Sequence, residues 1–273
     1  MQHTFLRRTF WKLAPLALPW TMRAQASPSA EIPDMFPTQP PELVREMVTV
    51  AHGNVKRVRE LVEARPSLAK AAWDWGFGDW EDALGAASHV GNREIAEYLI
   101  LRGARPTLFS ATMLGHLDTV KAFVAAQPGV QRIPGPHSIS LLAHAKAGKA
   151  AAEPVLKYLE SLGDAGSPPA VPVTEEELAK LTGVYMFGSG PSQRIDINAD
   201  HGQLTFTRSG TIGRGLTHIG DLVFHPAGAS AVKIRFENKG SEIILTVYDP
   251  DVVLAARRET VTHALVRAAF TLA

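Results

Sequence analysis

The chain has 273 residues, 45% of them hydrophobic and none of them cysteine, and its 28 basic residues nearly balance 27 acidic ones for a formal charge of +1. This is the composition of a globular protein of about two domains, which excludes a disordered chain, a collagen and a disulfide-built miniprotein. The missing cysteines also exclude thiol catalysis, thiolate-held zinc or iron–sulfur clusters and a lipoprotein anchor, and no run of about 18 apolar residues offers a membrane span.

The first element in chain order is an address. Residues 1–26 start basic, continue through an apolar stretch at 13–22 and finish on Arg23-Ala24-Gln25-Ala26. These are the parts of a cleavable export signal, with cleavage after Ala26. Arg7, Arg8, Phe10 and Lys12 stand in a pattern that resembles the twin-arginine signal, which implies a bacterial protein that is periplasmic or secreted. Loss of the leader removes four of the 28 basic residues and no acid, so the formal charge moves from +1 to −3. A weakly acidic chain presents no field for phosphate backbones, so nucleic acid is not expected as a partner. Residues 27–41 carry five prolines and read as an extended tether.

Residues 42–164 contain an internal repeat. After each of Gly53, Gly91 and Gly115, apolar residues fall five, eight and nine places on, which is one face of a 3.6-period helix. Each glycine stands where a preceding helix must end, a place suited to positive φ. Small-residue helices are expected upstream, at 82–88 and 107–112. The pattern resembles the ankyrin repeat, most fully from Gly91 to Gly103-Ala104 and at Gly115-His116. An eroded fourth unit runs from Leu141 through Gly148 to Gly163. The turn glycines are spaced 38, 24 and 33 residues apart, and of the Thr-Pro-Leu-His signature only the leucines Leu84, Leu108 and Leu141 remain. The resemblance implies stacked helical hairpins without built-in chemistry and a surface that binds another, unidentified protein.

Between the first two units, Trp73-Asp74-Trp75-Gly76-Phe77-Gly78-Asp79-Trp80 gathers three of the five tryptophans. Rigid rings with polar edges favour binding hot spots. Trp73, Trp75, Phe77 and Trp80 are therefore candidate protein-binding residues on a hairpin finger, with sealing of the helical core as the alternative. The loop Ile133-Pro134-Gly135-Pro136-His137 is a second candidate finger, and His137 joins the binding set.

Residues 165–173 form a turn-rich linker across which few contacts are expected. Thr174 and Glu177 then make a capping box for a short helix ending near Gly183. Beyond it the period drops to two, in Ile195/Ile197, Leu204/Phe206 and Val232/Ile234/Phe236, with further strands at 221–224, 242–248 and 252–257. About seven or eight short antiparallel strands over 174–258 predict a curled sheet or small barrel. The order Leu181-Thr-Gly-Val-Tyr185, Gly202-Gln-Leu204, Leu222-Val-Phe224 and Val232-Lys-Ile-Arg-Phe236 resembles a lipocalin-like β domain often appended to serine β-lactamase-like hydrolases. No hydrolase domain precedes it, so no hydrolase activity is implied. Residues 259–273 read as a tail.

The fold class is therefore α+β multidomain, a helical ankyrin-like stack followed by an antiparallel sheet or small barrel. Gly-x-Ser-x-Gly, His-Glu-x-x-His and the P-loop are absent, and the Ser-x-x-Lys pairs Ser67/Lys70 and Ser230/Lys233 lack partner motifs. His218 and His225 flank one expected hairpin and could share a metal if they faced the same way, but their separation of seven residues argues against that on a single strand. No catalytic residue, cofactor or metal is expected. The function expected is non-enzymatic protein binding; the alternative is a small-molecule carrier or sensor that uses the β domain's interior as an apolar pocket.

Overall fold

A computed structural model describes residues 35–200, 202–208, 210–250 and 252–259. The expected export signal (Arg7, Arg8, Phe10, Lys12, Ala26), most of the tether and nearly all of the tail lie outside the described residues. The chain divides into two units, Met1–Thr38 and Gln39–Ala273. In the first, the Thr38 amide closes a turn onto the Met35 carbonyl. In the second, nine helices and a closed eight-stranded antiparallel barrel give an α+β architecture among the described residues. None of these helices is long and apolar enough to cross a membrane.

Eight of the helices form four hairpins. α1 (Pro41–Val50) pairs with α2 (Val55–Ala64), α3 (Ala83–His89) with α4 (Arg93–Leu101), α5 (Leu108–Leu114) with α6 (Leu117–Ala126), and α7 (Leu141–Ala147) with α8 (Glu153–Leu162). The first helices of successive pairs lie against one another. They approach closely because α3 presents Ala83, Gly85, Ala86, Ala87 and Ser88, all buried. Side-chain caps from Asn54, Asp82, Asn92, Thr107 and Ser140 accept the free amides of the first turns. Gly91 (φ +74°) turns in the left-handed region as expected, and a Cβ there would run into the Ala147 carbonyl. Gly148 (φ −71°) does not, so the four turn glycines do not share one conformation.

Between the first two hairpins, β1 (Ala72–Asp74) and β2 (Trp80–Asp82) form a small antiparallel ribbon with Trp73 opposite Glu81. After α9 (Glu175–Leu181), started by the expected Thr174–Glu177 capping box, the barrel begins. Its strands are β3 (Gly183–Met186), β4 (Arg194–Asp200), β5 (Gln203–Arg208), β6 (Arg214–Gly220), β7 (Val223–Pro226), β8 (Lys233–Lys239), β9 (Glu242–Asp249) and β10 (Val252–Arg258). Each pairs with the next, and β10 closes on β3 through Arg257–Met186 and Arg258–Tyr185. Eight strands enclose a space that side chains can just fill. Here Tyr185, Ile195, Phe224, Ile234, Phe236 and Leu245 fill it, with Tyr185 and Phe224 set edge-on to Phe236 at 5.8 and 5.6 Å. The interior is thus a packed core, which gives no support to its use as a ligand pocket.

The structure departs from the sequence reading in three places. Strand β6 was expected only as an arm of the hairpin that His218 and His225 flank, without bounds, because Gly215 and Gly220 blunt its alternation. Asp221 and Leu222, expected to open a strand, instead have φ of +52° and +56° and turn the chain between β6 and β7. The linker is also not the sole connection between stack and barrel. Phe77 packs edge-on against Phe206 at 5.5 Å, and the Ser138 hydroxyl accepts the Gly228 amide at 2.7 Å.

Candidate metal centre

Four side chains from different parts of the helical stack meet at one point. His52 follows the end of α1, Glu81 lies on β2, His89 is the last residue of α3, and His137 stands in the loop between α6 and α7. One ligand atom from each lies within 4.8 Å of the other three. The pleat explains Glu81: its neighbour Trp80 points outward at 64% exposure, so Glu81 points inward at 1%.

The contacts are close. Glu81 Oε1 is 2.9 Å from His89 Nε2, and Glu81 Oε2 is 3.3 Å from His137 Nε2 and 3.7 Å from His52 Nε2. His52 Nε2 and His89 Nε2 are 3.1 Å apart. Two ligands bound to one zinc-like ion at about 2.0–2.2 Å, at tetrahedral angles, stand roughly 3.4 Å apart. The observed separations bracket that value. Glu81 Oε1 is buried and has no hydrogen-bond partner.

The outer contacts decide which ring nitrogens face inward. His52 Nδ1 lies 3.1 and 3.0 Å from the carbonyls of Val48 and Thr49, which only accept, so it carries the proton and Nε2 presents a lone pair. His137 Nδ1 donates to Asp79 Oδ2 at 2.6 Å, so Nε2 is the nitrogen that gives up its proton to a cation. The Trp75 indole N–H donates to Glu81 Oε2 at 2.8 Å and orients that carboxylate. Backbone carbonyls behind His52 and a carboxylate behind His137, which turn both Nε2 atoms toward a common point, are the outer contacts that metal centres use. The neighbouring His144 donates from Nδ1 to the Ser140 carbonyl at 2.9 Å and stacks on Phe109, but it does not belong to the converging set.

Asp79 joins this cluster to the barrel. It is 3% exposed, accepts the His137 amide at 2.9 Å as well as its ring, and is paired with Arg214 of β6. Gly228 (φ +81°) lies so near that a Cβ would occupy the Asp79 carboxylate. His137 (φ 58°), Ser138 (φ 60°) and Phe77 (φ 59°) are held in the left-handed region, a conformation that L side chains resist and that the Asp79 and Gly228 contacts maintain.

Electrostatics favour a cation here. Burial opposes the charge on Asp79, but hydrogen bonds from His137 and the Arg214 charge outweigh it and hold the carboxyl below its ordinary range. Burial also opposes charge on Glu81, yet the His137 and His89 rings draw its pKa down to about 2. For His137, burial disfavours the proton, while Asp79 and Glu81 overcome it and raise the pKa to about 9. The same two carboxylates that hold a proton on His137 attract a metal ion. A cavity of about 320 Å³ adjoins the cluster, with His52, His137, Trp75 and Arg214 in its wall.

Of the residues singled out in the sequence, His137 and Trp75 lie in the cluster, with ring centroids 6.3 Å apart. Trp73 packs half-buried on the helical core, Phe77 joins the barrel contact, and only Trp80 of the four rings is exposed. The expectation of no metal site missed His52, Glu81 and His89, which no short spacing motif connects. The available signal was that His52 and His89 fall one and two residues before equivalent turn glycines, so neighbouring repeats place them side by side. His218 and His225 stay apart from the cluster and contact the carbonyls of Val171 and Pro226. Comparison of the chain with family models, curated proteins and solved structures found no match.

Proposed function

We propose that this protein binds a divalent transition-metal ion through His52, Glu81, His89 and His137. The carrying observation is the convergence of three imidazoles and a buried carboxylate whose Oε1 has no hydrogen-bond partner. A set dominated by imidazole suits zinc, copper, iron or nickel better than magnesium or calcium. When bound, such an ion supplies a Lewis acid beside the cavity. Asp79 and the Val48 and Thr49 carbonyls hold the imidazole tautomers, and Trp75 holds the carboxylate.

The scaffold in this reading is an exported ankyrin-type stack carrying a lipocalin-like barrel. That resemblance supports a second reading, a protein-binding surface, and the 64% exposed Trp80 ring favours it.

Protein stripped with a chelator and titrated with zinc(II) or cobalt(II), followed by calorimetry and elemental analysis, should take up one ion per chain. His89→Ala should weaken that binding by at least the roughly hundredfold typical of losing an outer-shell partner. No uptake, or equal affinity in the variant, would refute the reading.

A further inference from the structure

Resting on the metal reading, we infer that the adjoining cavity takes a small organic carboxylate, its head a fifth ligand to the ion on the Arg214 side and its apolar body on Trp75 and Ile212. The cavity reaches the ion, because His52 and His137 are both ligands and wall residues. Its volume of about 320 Å³ sits at the low end for small-molecule sites.

Charge selects the head group. Ligating imidazoles are neutral, so a divalent ion is balanced by Glu81 and Asp79, and the charge of Arg214 is left over. Asp82, the next acid along, is engaged as the cap of α3, where it accepts the Gly85 amide. A residual positive charge at a site this buried favours an anion over a neutral ligand. Arg214 stands in the cavity wall, with its terminal nitrogens facing Asp79 and His137 and its buried Nε without a partner. A carboxylate is the planar acceptor that matches a guanidinium.

The walls select the rest. Trp75, Ile212 and Ala227 line the cavity together with the backbone of Gly213 and Gly215. An inorganic anion leaves those apolar surfaces wet, whereas an aryl or alkyl carboxylate covers them.

The test loads the full chain with cobalt(II), confirms one ion per chain by elemental analysis, and then follows the visible absorption during titration with benzoate, acetate and benzamide. Benzoate should shift the spectrum and bind at least about tenfold more tightly than acetate, through its ring. Benzamide, a neutral near-isostere, should leave the spectrum unchanged. Ile212→Glu, at a position 51% exposed, should retain cobalt yet weaken benzoate about tenfold by repulsion at the mouth. An unchanged spectrum of the loaded protein at about 100 mM benzoate, where even a millimolar ligand saturates, would overturn the inference while leaving the metal reading intact. Equal binding of benzamide would overturn the selection by charge. Failure to load cobalt overturns both, and it shows before any carboxylate is added.

Discussion

Inside the barrel, Tyr185, Ile195, Ile197, Phe224, Ile234 and Phe236 pack together, and the buried polar residues among its described strands are Arg214 and Thr246. Inside the helical stack, Asp79, Glu81, Ser88, Ser110, Thr112, Gln131 and His144 are all buried. Ser88 is locally satisfied, donating to the Leu84 carbonyl at 2.6 Å, whereas Thr112 Oγ1, Gln131 Oε1 and His144 Nε2 are buried without a partner. Glu81 Oε1 also lacks a partner, and its carboxylate is the one that stands among three imidazoles. Burying a polar group without a partner costs free energy that apolar packing elsewhere must offset. The barrel therefore reads as scaffold, and the stack as the part that holds a ligand. Arg214 is the point at which the scaffold reaches into the site.

The sharpest way to break this division is at that point. Asp79→Asn leaves Arg214 buried without its charge partner, which should cost roughly 3–5 kcal/mol. Combining it with Arg214→Met should restore much of the loss, because an apolar replacement of a buried pair is often near neutral. Denaturant melts of the two singles and the double close that cycle, and simple additivity would show that the pair is not coupled.

The barrel should reveal its own core at high pH. Burial pushes the Tyr185 hydroxyl, which donates to the Leu181 carbonyl at 2.8 Å, up to about 12 from an ordinary 10, with Arg258 opposing weakly. The folded state thus holds this proton longer than the unfolded one. Stability is unaffected below pH 10 and falls as pH rises toward 12, by roughly 1.4 kcal/mol per unit. Tyr185→Phe should remove that part of the alkaline loss, and parallel stability–pH curves for the two proteins would contradict it.

The smallest effect is expected on the outer face of the ribbon. Trp80→Ala should change stability by less than about 0.5 kcal/mol, since the ring is mostly in solvent. It should leave metal uptake unchanged, although Glu81 is its immediate neighbour. A large fall in melting temperature would mean that the ring supports the strand that places Glu81.

Periodicity was enough to locate most of the architecture. The alternation at Ile195/Ile197 and Val232/Ile234/Phe236 marks barrel strands, and the Thr174–Glu177 box marks the start of α9, because these signals act over a few residues. The bounds of β6 were not legible because two glycines interrupt its pattern, and so the importance of Arg214 at its start was hidden. In the first half, the spacing of turn glycines predicted the helical hairpins, and the close packing of α1 and α5 on α3 follows from the small residues of α3. The candidate metal centre belongs to a different class of information. His52, Glu81, His89 and His137 come from two helix ends, a strand and a loop spread over 85 residues, and no local rule relates them. Sequence by itself determined where helices and strands begin and which faces they bury, since those depend on neighbours a turn or a pleat away. Only the tertiary structure decided that three imidazoles and a carboxylate share one point, because ligand geometry depends on how separate elements stack and on the Asp79 and Gly228 contacts that hold His137 in place.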